Sequence, residues 1–152
     1  MTLTQKENTL LSDMKAQEQI CIEKYNKYAQ LAHDPELKNL FTTLASNEQK
    51  HLDTISQIIS GTEVSMPAQS PSAVQAKLQC NPSKCNEVEK KNDAYLCKDA
   101  LSMEKHVSGV YNTCVFEFSS PVIRDTLAHI QKEEQNHGEQ LYNYLNCNNM
   151  YS

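Results

Sequence analysis

Asn47-Glu48-Gln49-Lys50-His51 and Glu133-Glu134-Gln135-Asn136-His137 are two occurrences of one short pattern. Each holds Glu-x-x-His, a spacing that sets a carboxylate and an imidazole one turn apart on the same helix face. Sliding the chain on itself by 86 positions superposes Glu48 on Glu134, Gln49 on Gln135 and His51 on His137. The same slide lays Leu10 on Leu96, Asp13 on Asp99, Glu18 on Glu104, Tyr25 on Tyr111, Asn26 on Asn112 and Pro35 on Pro121, with no gap. Such a repeat predicts two related helical hairpins joined by a linker, with function where the two halves face each other.

Composition supports helices. The 152 residues include only 3 glycines, 5 prolines and no tryptophan, while Leu, Ala, Gln, Glu and Lys are plentiful. That length fits one domain, residues 1–152, with a core of its own. A net charge of −5 argues against nucleic acid or an anionic membrane surface as partner. No apolar run is long enough to span a bilayer, and the N-terminal Met-Thr-Leu-Thr-Gln-Lys-Glu is too polar for a signal peptide. An intracellular protein is therefore expected, with its cysteines as thiols. Cys21, Cys80, Cys85, Cys97, Cys114 and Cys147 form no Cys-x-x-Cys pair, which argues against a rubredoxin-like iron site or a zinc ribbon.

Working outward from the repeat, Thr4-Gln-Lys-Glu7 reads as a capping box for a first helix running to about His33. Its inward seam is Leu11, Met14, Glu18, Cys21, Tyr25, Tyr28 and Ala32, the alternating three-and-four step of a bundle helix. Asp34-Pro35 supplies a cap followed by proline at the first helical position. The second seam is Leu37, Phe41, Leu44, Glu48, His51, Ile55 and Ile58, stopped at Gly61. Residues 61–86, rich in Pro, Ser and polar residues, read as a crossover with a short helical turn around Ala73 to Leu78. Asn86-Glu-Val-Glu89 caps a third helix continuing to about Phe118, with seam Cys97, Ala100, Glu104, Val107, Tyr111, Cys114 and Phe118. Ser120-Pro121 opens the fourth, with seam Ile123, Leu127, Ile130, Glu134, His137, Leu141 and Tyr144. From Asn146 to Ser152 a polar, frayed tail is expected. Short loops within each hairpin and a long crossover between them predict an all-α antiparallel four-helix bundle, with hairpins at 4–60 and 87–146 and parallel middle helices.

Each seam is apolar or aromatic apart from charge at its middle: Glu18, Glu48 with His51, Glu104, and Glu134 with His137. A lone carboxylate among aliphatic side chains costs several kcal/mol, so four at one level need positive charge among them. Two divalent ions would neutralise them and take the histidines as neutral ligands. One Glu from each of two helices plus Glu-x-x-His from each of the other two is the donor set of di-iron and di-manganese carboxylate bundles. The expected roles are Glu48 and Glu134 bridging, Glu18 and Glu104 each on one ion, and each histidine on one ion, with the ions roughly 3.5–4 Å apart. Oxygen and imidazole donors favour iron over manganese in this reading, with zinc able to enter. Tyr25, Tyr111 and Cys21 lie close enough along their helices to neighbour such a site, or serve as core residues. Cys80 and Cys85, in the crossover, are the candidates for oxidation or cross-linking. His33, His106 and His129 match no part of the pattern.

Two resemblances follow. The ligand pattern is similar to the ferritin-like superfamily that includes rubrerythrins and bacterioferritins. The wider text resembles the spore coat F family of endospore formers, in Gln17 to Ala29, Asp34 to Phe41, Leu101 to His106, Glu133 to His137, and a tail ending near Met150-Tyr151. That second resemblance implies a ferritin-like bundle deposited in or near the spore coat, with other coat proteins or further copies of itself as partners. It implies no activity. The chain lacks the rubredoxin domain of rubrerythrin, and neither a haem ligand nor a cage-forming surface of a bacterioferritin can be read in it. Three readings stay open: a structural or protective coat protein with a dinuclear site, a di-metal oxidoreductase acting on oxygen or peroxide, and a metal-free scaffold whose Glu and His residues fix the bundle register.

Overall fold

The computed structural model describes residues 2–62, 64 and 80–151. Four helices make up the described architecture: α1 (Gln5–Leu31), α2 (Pro35–Ile59), α3 (Glu87–Val115) and α4 (Pro121–Cys147). Each start is fixed by its cap. Thr4 and Asn86 form capping boxes with Glu7 and Glu89, while Asp34 and Ser120 cap helices whose first residue is proline. At the end of α2, Gly61 takes φ +74°, and Gly61 N–H and Thr62 N–H bond back to Ile58 and Gln57 carbonyls. The end of α4 repeats the device with Asn149 at φ 54° and Met150 N–H on the Leu145 carbonyl.

The four seams point inward. Every expected seam residue is buried except Tyr28, which is half-buried because its hydroxyl reaches Asp99 at 2.5 Å. Three ends differ from expectation. Helix α1 stops at Leu31 and α3 at Val115, so Ala32 and Phe118 join the core from outside a helix. The tail is also better held than its polarity suggests: α4 runs to Cys147, and the Tyr151 ring meets Tyr142 edge-on at 5.0 Å. The expected turn at Ala73 to Leu78 lies outside the described residues.

Side-chain contacts give the topology. Tyr25 bonds Glu104 while Glu18 bonds Tyr111, so α1 and α3 run antiparallel. His51 meets Glu133 and Glu134 while Glu48 meets His137, so α2 and α4 do too. With each hairpin antiparallel in itself, α2 and α3 are parallel. Among the described residues no helix is long and apolar enough to cross a membrane.

Candidate metal centre

The repeat is also a spatial one. In each hairpin the first helix supplies one seam carboxylate and the second supplies Glu-x-x-His, and the four helices carry these groups to one level of the core. Glu18, Glu48, His51, Glu104, Glu134 and His137 are all buried. They form two overlapping groups, Glu18, Glu48, His51 and Glu134, then Glu48, Glu104, Glu134 and His137, in each of which the donor atoms lie within 4.8 Å of one another. Glu48 and Glu134 are common to both. The imidazoles stack, with ring centroids 5.6 Å apart.

Hydrogen bonding leaves the cluster short of donors. His51 Nδ1 lies 3.0 Å from Glu48 Oε2 and 3.1 Å from Glu134 Oε1; His137 Nδ1 lies 3.1 Å from Glu48 Oε1 and 3.3 Å from Glu134 Oε2. One N–H is well directed at one acceptor, and both favour Glu48. Both oxygens of Glu134, with Glu18 Oε2 and Glu104 Oε2, are buried without a hydrogen-bond partner. The other oxygens of Glu18 and Glu104 accept from the hydroxyls of Tyr111 and Tyr25. Each tyrosine thus serves the carboxylate of the opposite hairpin.

Burial and the neighbouring carboxylates Glu134 and Glu48 push the Glu18 carboxyl up to about 9. Burial drives Glu104 well above the ordinary range as well, against His137, with Glu134 and Glu48 adding to the rise. For Glu48 and Glu134 burial acts in the same sense but loses to the imidazoles of His137 and His51, which hold both below the usual range. The histidines respond in kind. Burial opposes their protonation, yet Glu104, Glu134 and Glu48 raise His137 to about 11, and Glu133, Glu134 and Glu48 raise His51 well above its ordinary value. These shifts put protons on the two imidazoles, Glu18 and Glu104 and leave Glu48 and Glu134 as carboxylates, so that the six residues balance in charge without metal.

These donors could hold hard or borderline metal ions: carboxylate oxygens and imidazole nitrogens, buried, with four oxygens that accept no hydrogen bond. Tyr25 and Tyr111 touch the cluster directly. Cys21 does not; its thiol accepts from Gln17 Nε2 at 3.8 Å and is pushed up by burial and by Glu48 and Glu18. Among the other histidines, His106 is exposed, and His33 N–H bonds the Asp93 carboxylate at the hairpin turn. His129 lies 3.7 Å from Glu133.

Two contacts escaped the sequence. Glu133 Oε2 lies 2.8 Å from His51 Nε2, and only asking what the repeat puts at its equivalent, Asn47, would have exposed it. Cysteine chemistry also needs correction: Cys80 is disulfide-bonded to Cys147 rather than kept as a thiol for cross-linking, with a Cα–Cα distance of 5.5 Å. Cys85, the other candidate for oxidation or cross-linking, is free. A cleft of about 750 Å3 beside that disulfide, lined by Glu36, Leu40, Gln140 and Tyr144 among others, takes in none of the six cluster residues.

Residues 92–152 match the Coat F domain. The Coat F match spans most of α3, all of α4 and the tail, so it contains Glu104, Glu134 and His137 but not their counterparts in the first hairpin. No curated protein matches the chain. Among solved structures, a two-domain protein from Anabaena variabilis, containing DJ-1/ThiJ/PfpI-like and ferritin-like domains, superposes with a TM-score of 0.66 at 17% identity over 90% of this chain. The chain spans 34% of that protein's length. The fold is ferritin-like, and the Coat F likeness resides in its second half.

Proposed function

We propose that this is a spore-coat-associated ferritin-like protein, structural or protective, whose bundle holds two divalent ions. Glu18, Glu48, His51 and Glu134 would hold one, and Glu48, Glu104, Glu134 and His137 the other. The observation that carries this reading is Glu134, a carboxylate common to both groups, with both oxygens buried and neither hydrogen-bonded. The imidazoles of His51 and His137 stand 3.1 and 3.3 Å from those oxygens without a well-directed hydrogen bond; a buried carboxylate so weakly satisfied is costly to keep, and coordination would remove the cost. Carboxylate and imidazole donors support iron, then manganese, with zinc as a competitor. When bound, a redox-active pair of ions supplies electron exchange with oxygen or peroxide. Around them the chain excludes bulk water, and Tyr25 and Tyr111 orient the Glu104 and Glu18 carboxylates through their hydroxyls. The spore-coat setting, and coat proteins or further copies of the chain as partners, rest on the Coat F match.

The competing reading is a metal-free scaffold, favoured by the proton balance that closes the charge of the cluster. Metal analysis of protein purified without chelators or a metal-binding tag, and again after anaerobic iron loading, decides between them. About two iron or manganese ions per chain are expected, lost in a Glu48→Ala, Glu134→Ala double variant. Substoichiometric metal that the two substitutions leave unchanged supports the scaffold.

A further inference from the structure

The two halves of the cluster are equivalent in their inner donors and unlike just outside them. Behind His51 stands Glu133, Oε2 at 2.8 Å from Nε2, on a side chain 42% exposed that also faces His129. Behind His137, at the place the repeat makes equivalent, stands Asn47, its amide nitrogen 3.5 Å from Nε2 and its amide oxygen 3.4 Å from Lys50 Nζ. The difference is chemical. An ionised carboxylate can only accept, so in the neutral imidazole that would take a metal ion Glu133 keeps the proton on His51 Nε2 and frees Nδ1, the atom that faces Glu48, Glu134 and Glu18, to ligate. An amide offers either a donor or an acceptor and sets no tautomer; with its nitrogen toward Nε2 it favours the form whose Nδ1 carries the proton and cannot ligate. Carboxylates behind a ligating histidine also raise its basicity and fix its ring.

We propose that Glu133 makes the two ion positions inequivalent: as a positioning residue acting through His51, it causes the position of Glu18, Glu48, His51 and Glu134 to fill before that of Glu48, Glu104, Glu134 and His137. This rests on the reading that the cluster holds ions at all. Glu133 in the place where the other hairpin has Asn47 turns a duplicated site into an ordered one.

Anaerobic titration with Co(II), followed by calorimetry and by the visible absorption of bound cobalt, tests it. The natural chain should bind in two steps, the first at least about tenfold tighter, since loss of such an outer partner costs 10–100-fold in affinity. Glu133→Ala should weaken the first step by that factor and merge the two, Glu133→Asp should restore much of it, and Asn47→Asp should tighten the second. His51→Ala should abolish the tight step and its spectrum, His137→Ala the weak one. Two ions bound in one indistinguishable step, or a tight step unmoved by Glu133→Ala, overturns the ordering while leaving the metal centre standing. No cobalt bound by the natural chain overturns both.

Discussion

Protons occupy the charges that metal would otherwise neutralise. In the metal-free core Glu18 and Glu104 keep theirs because burial raises them, and His51 and His137 gain theirs because the surrounding carboxylates outweigh burial. Loading both positions with every carboxylate ionised and both imidazoles neutral therefore displaces these protons, about four for two ions. Affinity should rise with pH through neutrality, with proton release readable by calorimetry in buffers of different ionisation enthalpy; pH-independent binding contradicts this. Stability without metal should move the other way. The Glu18 carboxyl ionises near 4.5 unfolded and about 9 folded. The His137 imidazolium loses its proton near 6.5 unfolded and about 11 folded. Between pH 6.5 and 9 the folded chain thus binds more protons than the unfolded one, and its stability falls as pH rises. Thermal midpoints of metal-free protein across that window should drop, and a flat or rising profile contradicts the assignment. Tyr25→Phe and Tyr111→Phe each strip a buried carboxyl of its one hydrogen-bonded partner, at a cost of about 1–3 kcal/mol in metal-free protein. Paired urea titrations should find the two variants alike, since the repeat makes them equivalent.

Helices and turns follow the same exchange. Asp93 on α3 accepts from His33 N–H at 2.9 Å and Asp34 N–H at 2.8 Å, tying down the α1–α2 turn. Its repeat partner Glu7 on α1 accepts from Ser119 N–H at 2.8 Å, tying down the α3–α4 turn, and that bond with those from Thr4 draws its pKa down to about 2. Asp93→Ala leaves two backbone donors at a buried turn unpaired and should cost about 1–3 kcal/mol by urea unfolding; a loss under 0.5 kcal/mol would mean water replaces the carboxylate. These elements also mark what could be read from sequence. Caps, prolines at first helical positions and three-and-four seams are local, so the helices and their inward faces were legible. So was the convergence of six side chains at one level, because a repeat fixes relative height along a bundle. Asp93's hold on the first turn and Glu7's on the second were not, although Glu7 was readable as a cap, since each reaches backbone donors some 60 or more positions away along the chain. The pairing of Cys80 with Cys147 depends on where the crossover lands against the end of α4, which no local pattern encodes.

At the scale of the molecule, the disulfide ties the crossover's end to the last turn of the bundle across a sequence separation of 67. Closing so long a loop restricts the unfolded chain by about 2–4 kcal/mol. Reductant, or a Cys80→Ser, Cys147→Ser double variant, should lower the urea midpoint by a corresponding amount and leave metal stoichiometry unchanged, because neither cysteine belongs to the cluster. An unmoved midpoint would show that the bond contributes no net stability. The cross-hairpin hydrogen bonds carry a different consequence. Each hairpin holds what the other lacks: a hydroxyl for its carboxylate and an anchor for its turn. One hairpin meeting its own copy could make the same bonds, so the present chain is built like a homodimer with its two subunits written in a single text. Joining the halves in one chain keeps them at high effective concentration, and leaves each free to carry its own residue at equivalent places such as Asn47 and Glu133.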